Sequence, residues 1–366
     1  MLEVEITAPG LKALTERLGG ERAKLRDADV ESFHQGELEP LYKEPPAVAA
    51  VSMDGGRAQI RASDAPRGVH EPAWTETKVA DLVTYRDASC RLDPQPEPPA
   101  KFLDPPKVLR LVQEMKGFSG RSRDDGRQDP ESAEGRKRKD APKARKRAER
   151  RRKIRTVVAT TQSAEQFGPM VATEAMRRGF FGARKKAALG DGSLWIWGIV
   201  ATYLVGFTPI LDFVHLIVHL FSASQAAYKG AAGKAWSLYT RLVKLAWVGK
   251  AEDMLEVLRK HASRLGQPPK GCSEDDPRKI IWGVVDYVEK NKDKLNYPAY
   301  RRDGLPISSA PVESLIKRVN RRVKGTEKFW TREGLEAVLQ VRAAYLSEDG
   351  RAEAHWERRP LGRAAG

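Results

Sequence analysis

Three acidic residues stand at points where the local sequence pattern changes: Asp54, Asp191 and Glu313. Asp54 follows the apolar run AVAAVSM (47–53) and precedes Gly55-Gly56. Asp191 follows the short apolar stretch 187–190 and precedes Gly192, in LGDGS. Carboxylates at the ends of neighbouring strands converge at one edge of a sheet. Mg²⁺ takes hard oxygen ligands of that kind, usually one or two carboxylates together with substrate phosphate. Two such ions suit phosphoryl transfer. Taken singly, each Asp-Gly also reads as an ordinary turn. Glu313 lies in the first turn of a helix expected over 311–324, at the edge of the apolar stripe Val312, Leu315, Ile316, Val319 and Val323. Lys317, Arg321 and Lys324 run down that edge, where they suit a DNA phosphate track. A surface Glu–Lys pair at i, i+4 is the plainer reading of Glu313.

Further candidates surround this set. Asp212 and His215 form an Asp-x-x-His pair leaving the apolar run ILD, as a DNA contact or a structural Asp–His contact. His219, one turn on, extends it to a conceivable metal group. Trp195, Trp197 and Trp330 read as packing residues, with base stacking as their functional alternative.

The elements that would position these groups alternate in type. A helix is expected over 11–26. Strand-like runs at 47–53 and 57–62 flank Asp54-Gly55-Gly56 as a hairpin, and 78–85 is a third. Residues 91–155 read as a linker, Pro-rich and then highly charged, with at most a short helix near 106–116. Strands are expected at 156–161, 187–190 and 208–211, and helices at 164–179 and 195–204. Residues 214–262 are helical almost throughout, with further helices at 278–294, 311–324 and 331–346. This order predicts an α/β fold with a mixed sheet. It matches an RNase H-like core with an all-helical insertion before the last catalytic helix.

The chain has 366 residues and a formal net charge of +16. The excess is local: 136–155 holds thirteen Lys or Arg against Asp140 and Glu149, and the remainder carries only +5. Nucleic acid is the first partner such charge suggests, although a block of like charge also reads as a solvated tail. Two distant cysteines, Cys90 and Cys272, exclude a disulfide framework or CxxC zinc site. The uncharged run 192–211 has the length of a membrane span. Gly206 and Pro209 interrupt it, so it reads as a buried helix, a turn and a short strand. No signal peptide is expected, and the expected location is cytoplasmic and nucleoid-associated.

With these residues the chain resembles the bacterial insertion-sequence transposases of the DDE class, in the group distantly similar to Mutator-type elements. The resemblance rests on AVSMDGGR around Asp54, RRGFFGARKKAALGDGSLWIW around Asp191, FTPILDFVH at Asp212 and His215, and SSAPVESLIKRVNRRVKGTEKFW around Glu313. It implies that Asp54, Asp191 and Glu313 are the metal-binding catalytic triad, serving two Mg²⁺ or Mn²⁺ ions. It places the family's Asp/Cys-x-x-His motif on Asp212 and His215. The implied partners are element-end and target DNA, with a homo-oligomer formed on DNA and no membrane. The corresponding division is 1–46 N-terminal segment, 47–90 and 156–213 catalytic core, 91–155 linker, 214–305 helical insertion, 306–346 catalytic-helix region and 347–366 tail. The competing expectations are an RNase H-like nuclease without strand transfer, a truncated or domesticated DNA-binding relative, and a membrane-associated basic protein.

Overall fold

The computed structural model of the chain describes residues 7–42, 44–61, 73–118, 152–308, 319, 323 and 330–357. They form an α/β fold with one five-stranded mixed sheet, ordered β3-β2-β1-β4-β5. The strands are β1 (Val48–Ile60), β2 (Ala73–Tyr85), β3 (Arg152–Thr160), β4 (Lys185–Gly190) and β5 (Thr208–Leu211). The chain divides into two compact units. A sheet unit comprises residues 1–85, 153–209 and 309–366, and a helical unit comprises 86–152 and 210–308.

In the sheet unit, β1 pairs antiparallel with β2 and parallel with β4. Successive side chains of a strand face opposite ways. Ala49, Val51 and Met53 therefore share one face, which is buried with Ala80 and Leu82 of β2 against Phe167, Met170 and Val171 of α3 (Ala164–Arg177) and Ile196 and Ile199 of α4 (Leu194–Tyr203). A capping box starts α3. The Ser163 hydroxyl accepts from the Gln166 N–H, and the Gln166 side chain reaches back to the Ser163 N–H. The helix α1 (Ala8–His34) begins at Thr7, whose hydroxyl accepts from the Gly10 N–H, and it packs on α10 (Arg332–Leu346). Glu336 of α10 accepts from the Thr161 N–H at 2.7 Å and pairs with Arg26 of α1, joining helix to sheet.

The expected hairpin at Asp54-Gly55-Gly56 is corrected. β1 runs through these residues without a turn, and they pair with Val79, Lys78 and Thr77. Neither glycine takes a positive φ. The continuous ladder from β2 overrides the local turn signal. The basic segment also ends earlier than expected. Arg152 already belongs to β3, and the Arg155 side chain lies 2.8 Å from Asp81, both of them buried. This ion pair explains how a residue of a charge run enters a sheet core.

The helical unit packs α5 (Phe213–Ala227), α6 (Ala232–Trp247), α7 (Ala251–Leu265), α8 (Pro277–Asn291) and α9 (Tyr297–Arg302). At its centre the ring of Phe213 meets Phe102, Trp247 and Tyr297 edge-on, with centroids 5.3, 4.9 and 5.1 Å away. Residues 93–102, expected as linker, are built into this core. Trp247 Nε1 donates to the Gln95 carbonyl at 2.9 Å, Arg301 pairs with Asp93, and the Tyr239 hydroxyl donates to the Phe102 carbonyl at 3.1 Å. The helix α2 (Pro105–Phe118) follows. The uncharged run 192–211 is divided between α4 and β5, and no described helix is long and apolar enough to cross a membrane.

Candidate metal centre

Register brings the first two acids together. The β1–β4 pairing proceeds from Val48↔Lys185 to Ser52↔Leu189. Continued two residues further, it sets Asp54 opposite Asp191. Neighbouring strands lie about 4.8 Å apart, and carboxylate oxygens of Asp54 and Asp191 lie within 4.8 Å of one another. Both residues are half-buried.

Local bonding fixes each acid. Asp54 Oδ1 accepts from the Gly55 N–H at 2.6 Å. Asp191 Oδ1 accepts from the Ser193 N–H at 2.9 Å, closing an Asx turn in which Gly192 takes φ +101°. Gly190 serves by its lack of a side chain. A Cβ there would lie 2.7 Å from Cγ2 of the buried Ile196, so helix α4 closes directly on the end of β4. The order strand, Asx turn, helix thus presents Asp191 at the strand end.

Two hard oxygen donors at this separation suit a divalent cation that also keeps water or phosphate ligands. In this chemistry the pair fits Mg²⁺ or Mn²⁺. The fit to three acids lies beyond the described residues, because Glu313 is outside them, as are Lys317, Arg321 and Lys324.

The other candidates are placed individually. Asp212, buried, is the N-cap of α5. Its Oδ1 accepts from the N–H groups of Val214 at 2.7 Å and His215 at 3.0 Å. His215 Nδ1 lies 3.4 Å from the same oxygen. His219 stacks on Tyr287 at 4.1 Å between centroids, an aromatic contact in place of the conceived Asp212–His215–His219 ligand set. Trp195 is half-buried against Phe167, and Trp197 packs on the same core. Trp330 bridges to Ile60 beside the end of β1, and its Nε1 donates to the Val323 carbonyl.

Two charged residues escape a reading by sequence pattern. Lys78, buried in β2 opposite Gly55, holds Nζ 3.2 Å from the Gln162 carbonyl and 5.9 Å from the Trp195 ring centroid. Its Nζ also pairs with Glu76 at 3.1 Å. Asp81 sits opposite Ser52, on the face that carries Asp54, but its partner is Arg155. The only signal for either was a charged residue interrupting an otherwise apolar strand. Comparison with protein-family models finds no match, and comparison with curated proteins finds none.

Proposed function

We propose that this chain is a metal-dependent DNA phosphoryl transferase of the DDE transposase type, acting at the ends of an insertion sequence. The observation that carries the reading is the Asp54–Asp191 pair, held within 4.8 Å, with Asp54 inside β1 and Asp191 just past the end of the adjacent parallel β4. The strand order β3-β2-β1-β4-β5, antiparallel at β1–β2 and parallel at β1–β4, supports an RNase H-like core. Residues 214–305 fall wholly in the helical unit, in keeping with a helical insertion ahead of the Glu313 segment.

In this reading Asp54, Asp191 and Glu313 hold two Mg²⁺ or Mn²⁺ ions. Such ions, when bound, would lower the pKa of an attacking water or hydroxyl and offset charge on the phosphate. Asp54 and Asp191 supply a rigid pair of donors, since backbone N–H groups fix both side chains. Lys317, Arg321 and Lys324 bind phosphates leading to the site, and His215 contacts DNA. The chain works as a homo-oligomer on element ends and target DNA, in the cytoplasm at the nucleoid.

The test uses a plasmid bearing the DNA that flanks the gene on both sides, with whatever inverted repeats that DNA contains. The wild type should cut at the repeat ends in Mg²⁺ or Mn²⁺, should not cut in Ca²⁺, and should join the freed 3′ ends to a target. Asp54→Asn, Asp191→Asn and Glu313→Gln should each abolish cutting and retain DNA binding. Near-wild-type cutting by any of them removes that residue from the site. Cutting without joining would make the enzyme a nuclease.

A further inference from the structure

Helix α6 differs from its neighbours in how its charges are arranged. The solvent faces of α7 and α8 are laced with compensated pairs: Lys250 with Asp253, Arg259 with Glu289, Lys290 with Asp286, and Lys292 with both Glu252 and Glu289. Helix α6 contains no Asp or Glu. Its cations Lys234, Arg241 and Lys244 are all exposed. Among the described residues neither Arg241 nor Lys244 has an acidic partner. Their spacings of seven and three residues place the three cations on one helix face.

That face lines a groove of about 550 Å³ within the helical unit. Arg241 and Lys244 line it together with Ser237, a single acid, Glu97, and Lys250, which is already paired with Asp253. The large exposed apolar residue there is Val248. An interfacial membrane site would need aromatic or bulky aliphatic residues to insert. The exposed guanidinium of Arg241 and ammonium of Lys244 suit successive phosphates of a phosphodiester chain, which cations position without reading sequence.

We infer that the α6 groove, through Arg241 and Lys244, is a docking surface for the phosphate backbone of duplex DNA. The inference rests on the DNA reading above and adds a surface distinct from the carboxylate pair and from the charge run 136–155. Each phosphate contact contributes about 0.9 to the slope of log affinity against log salt. Losing two contacts therefore flattens the slope by about 1.8. Across a fourfold rise in salt, the wild type should lose about twelvefold more affinity than the variant.

The experiment measures binding of a labelled duplex by the full chain, by R241Q/K244Q and by R241E/K244E, from about 50 to 200 mM KCl, the range over which such contacts titrate. Both side chains are exposed, so melting curves should coincide with the wild type. The glutamine pair should show the flatter slope, and the glutamate pair should bind more weakly still. Wild-type affinity and slope in both variants overturn the surface. So does a wild type that binds no duplex, or variants that lose only binding to anionic lipid vesicles. The catalytic reading fails separately: a chain with the Arg241- and Lys244-dependent slope that never cuts DNA in Mg²⁺ or Mn²⁺ keeps the groove and loses the metal chemistry.

Discussion

Replacing Asp191 by Asn should stabilise the metal-free chain and abolish its response to Mg²⁺. The two carboxylates lie within 4.8 Å. Two unit charges at that distance repel by about 0.9 kcal/mol in bulk water and about 3.5 kcal/mol at an effective dielectric near 20. Both groups are half-buried, so about 2 kcal/mol is a fair working value. Asparagine keeps the Oδ1 that accepts from the Ser193 N–H, so the Asx turn survives while one charge goes. About 2 kcal/mol corresponds to roughly 4–8 °C in a unit of some two hundred residues. In the wild type, Mg²⁺ at tenfold its Kd should add about 1.4 kcal/mol, or roughly 3–6 °C. The assay is thermal unfolding of both proteins in EDTA and across an Mg²⁺ series. The expected pattern is a variant that melts higher in EDTA and is flat with Mg²⁺, beside a wild type that starts lower and climbs. A wild type indifferent to Mg²⁺, together with a variant that melts lower, would refute the reasoning, because the acids would then be held together by something other than a cation site.

Gly190→Ala sets a Cβ 2.7 Å from Cγ2 of the buried Ile196, so one of the two must shift. It should cost about 1–3 kcal/mol and weaken the Mg²⁺ response by displacing Asp191, as read by the same melts. Glu336 gives a pH dependence. Burial opposes its ionisation most strongly, but the Thr161 N–H, Arg26 and the Thr160 hydroxyl outweigh it and hold its carboxyl below the usual glutamate range. Stability from this group is therefore present above the unfolded glutamate value of about 4.3 and is lost as pH falls through the lower folded value. Melting temperature should drop on acidification below about pH 4.3, and Glu336→Gln should be less stable at neutral pH with a shallower acid limb; parallel limbs would count against it. Deleting 136–150, which leaves Arg152 and Arg155 in β3, should flatten the salt dependence of DNA binding and leave the melting curve unchanged. An unaltered slope would make that run a solvated tail.

The carboxylate pair was legible because its signal is local. An apolar run followed by an acid and a glycine marks both positions, and the parallel register of β1 and β4 sets them opposite one another. Asp191 kept that local form, a strand followed by an Asx turn. Asp54 did not, because its glycines are spanned by a partner strand some twenty residues downstream, and cross-strand pairing outweighs turn preference. Residues 93–102 show the same limit. Proline there suggested a linker, while the groups that sew the segment in, Trp247 and Arg301, are roughly 150 to 200 residues away.

A count of Lys and Arg carries no information about partners. Arg155 closes a run of thirteen cations yet is neutralised by Asp81 inside the sheet, so it offers DNA nothing. Arg241 and Lys244 sit in an unremarkable amphipathic helix and contribute only two charges. They are nevertheless exposed on a helix without acids and beside a groove. Affinity for a polyanion depends on cations that are free to exchange their water and counterions for phosphate. A buried ion pair has already made that exchange within the protein. The useful quantity is thus the uncompensated, exposed charge, and by that measure α6 has more to offer a polyanion than its share of the net charge suggests.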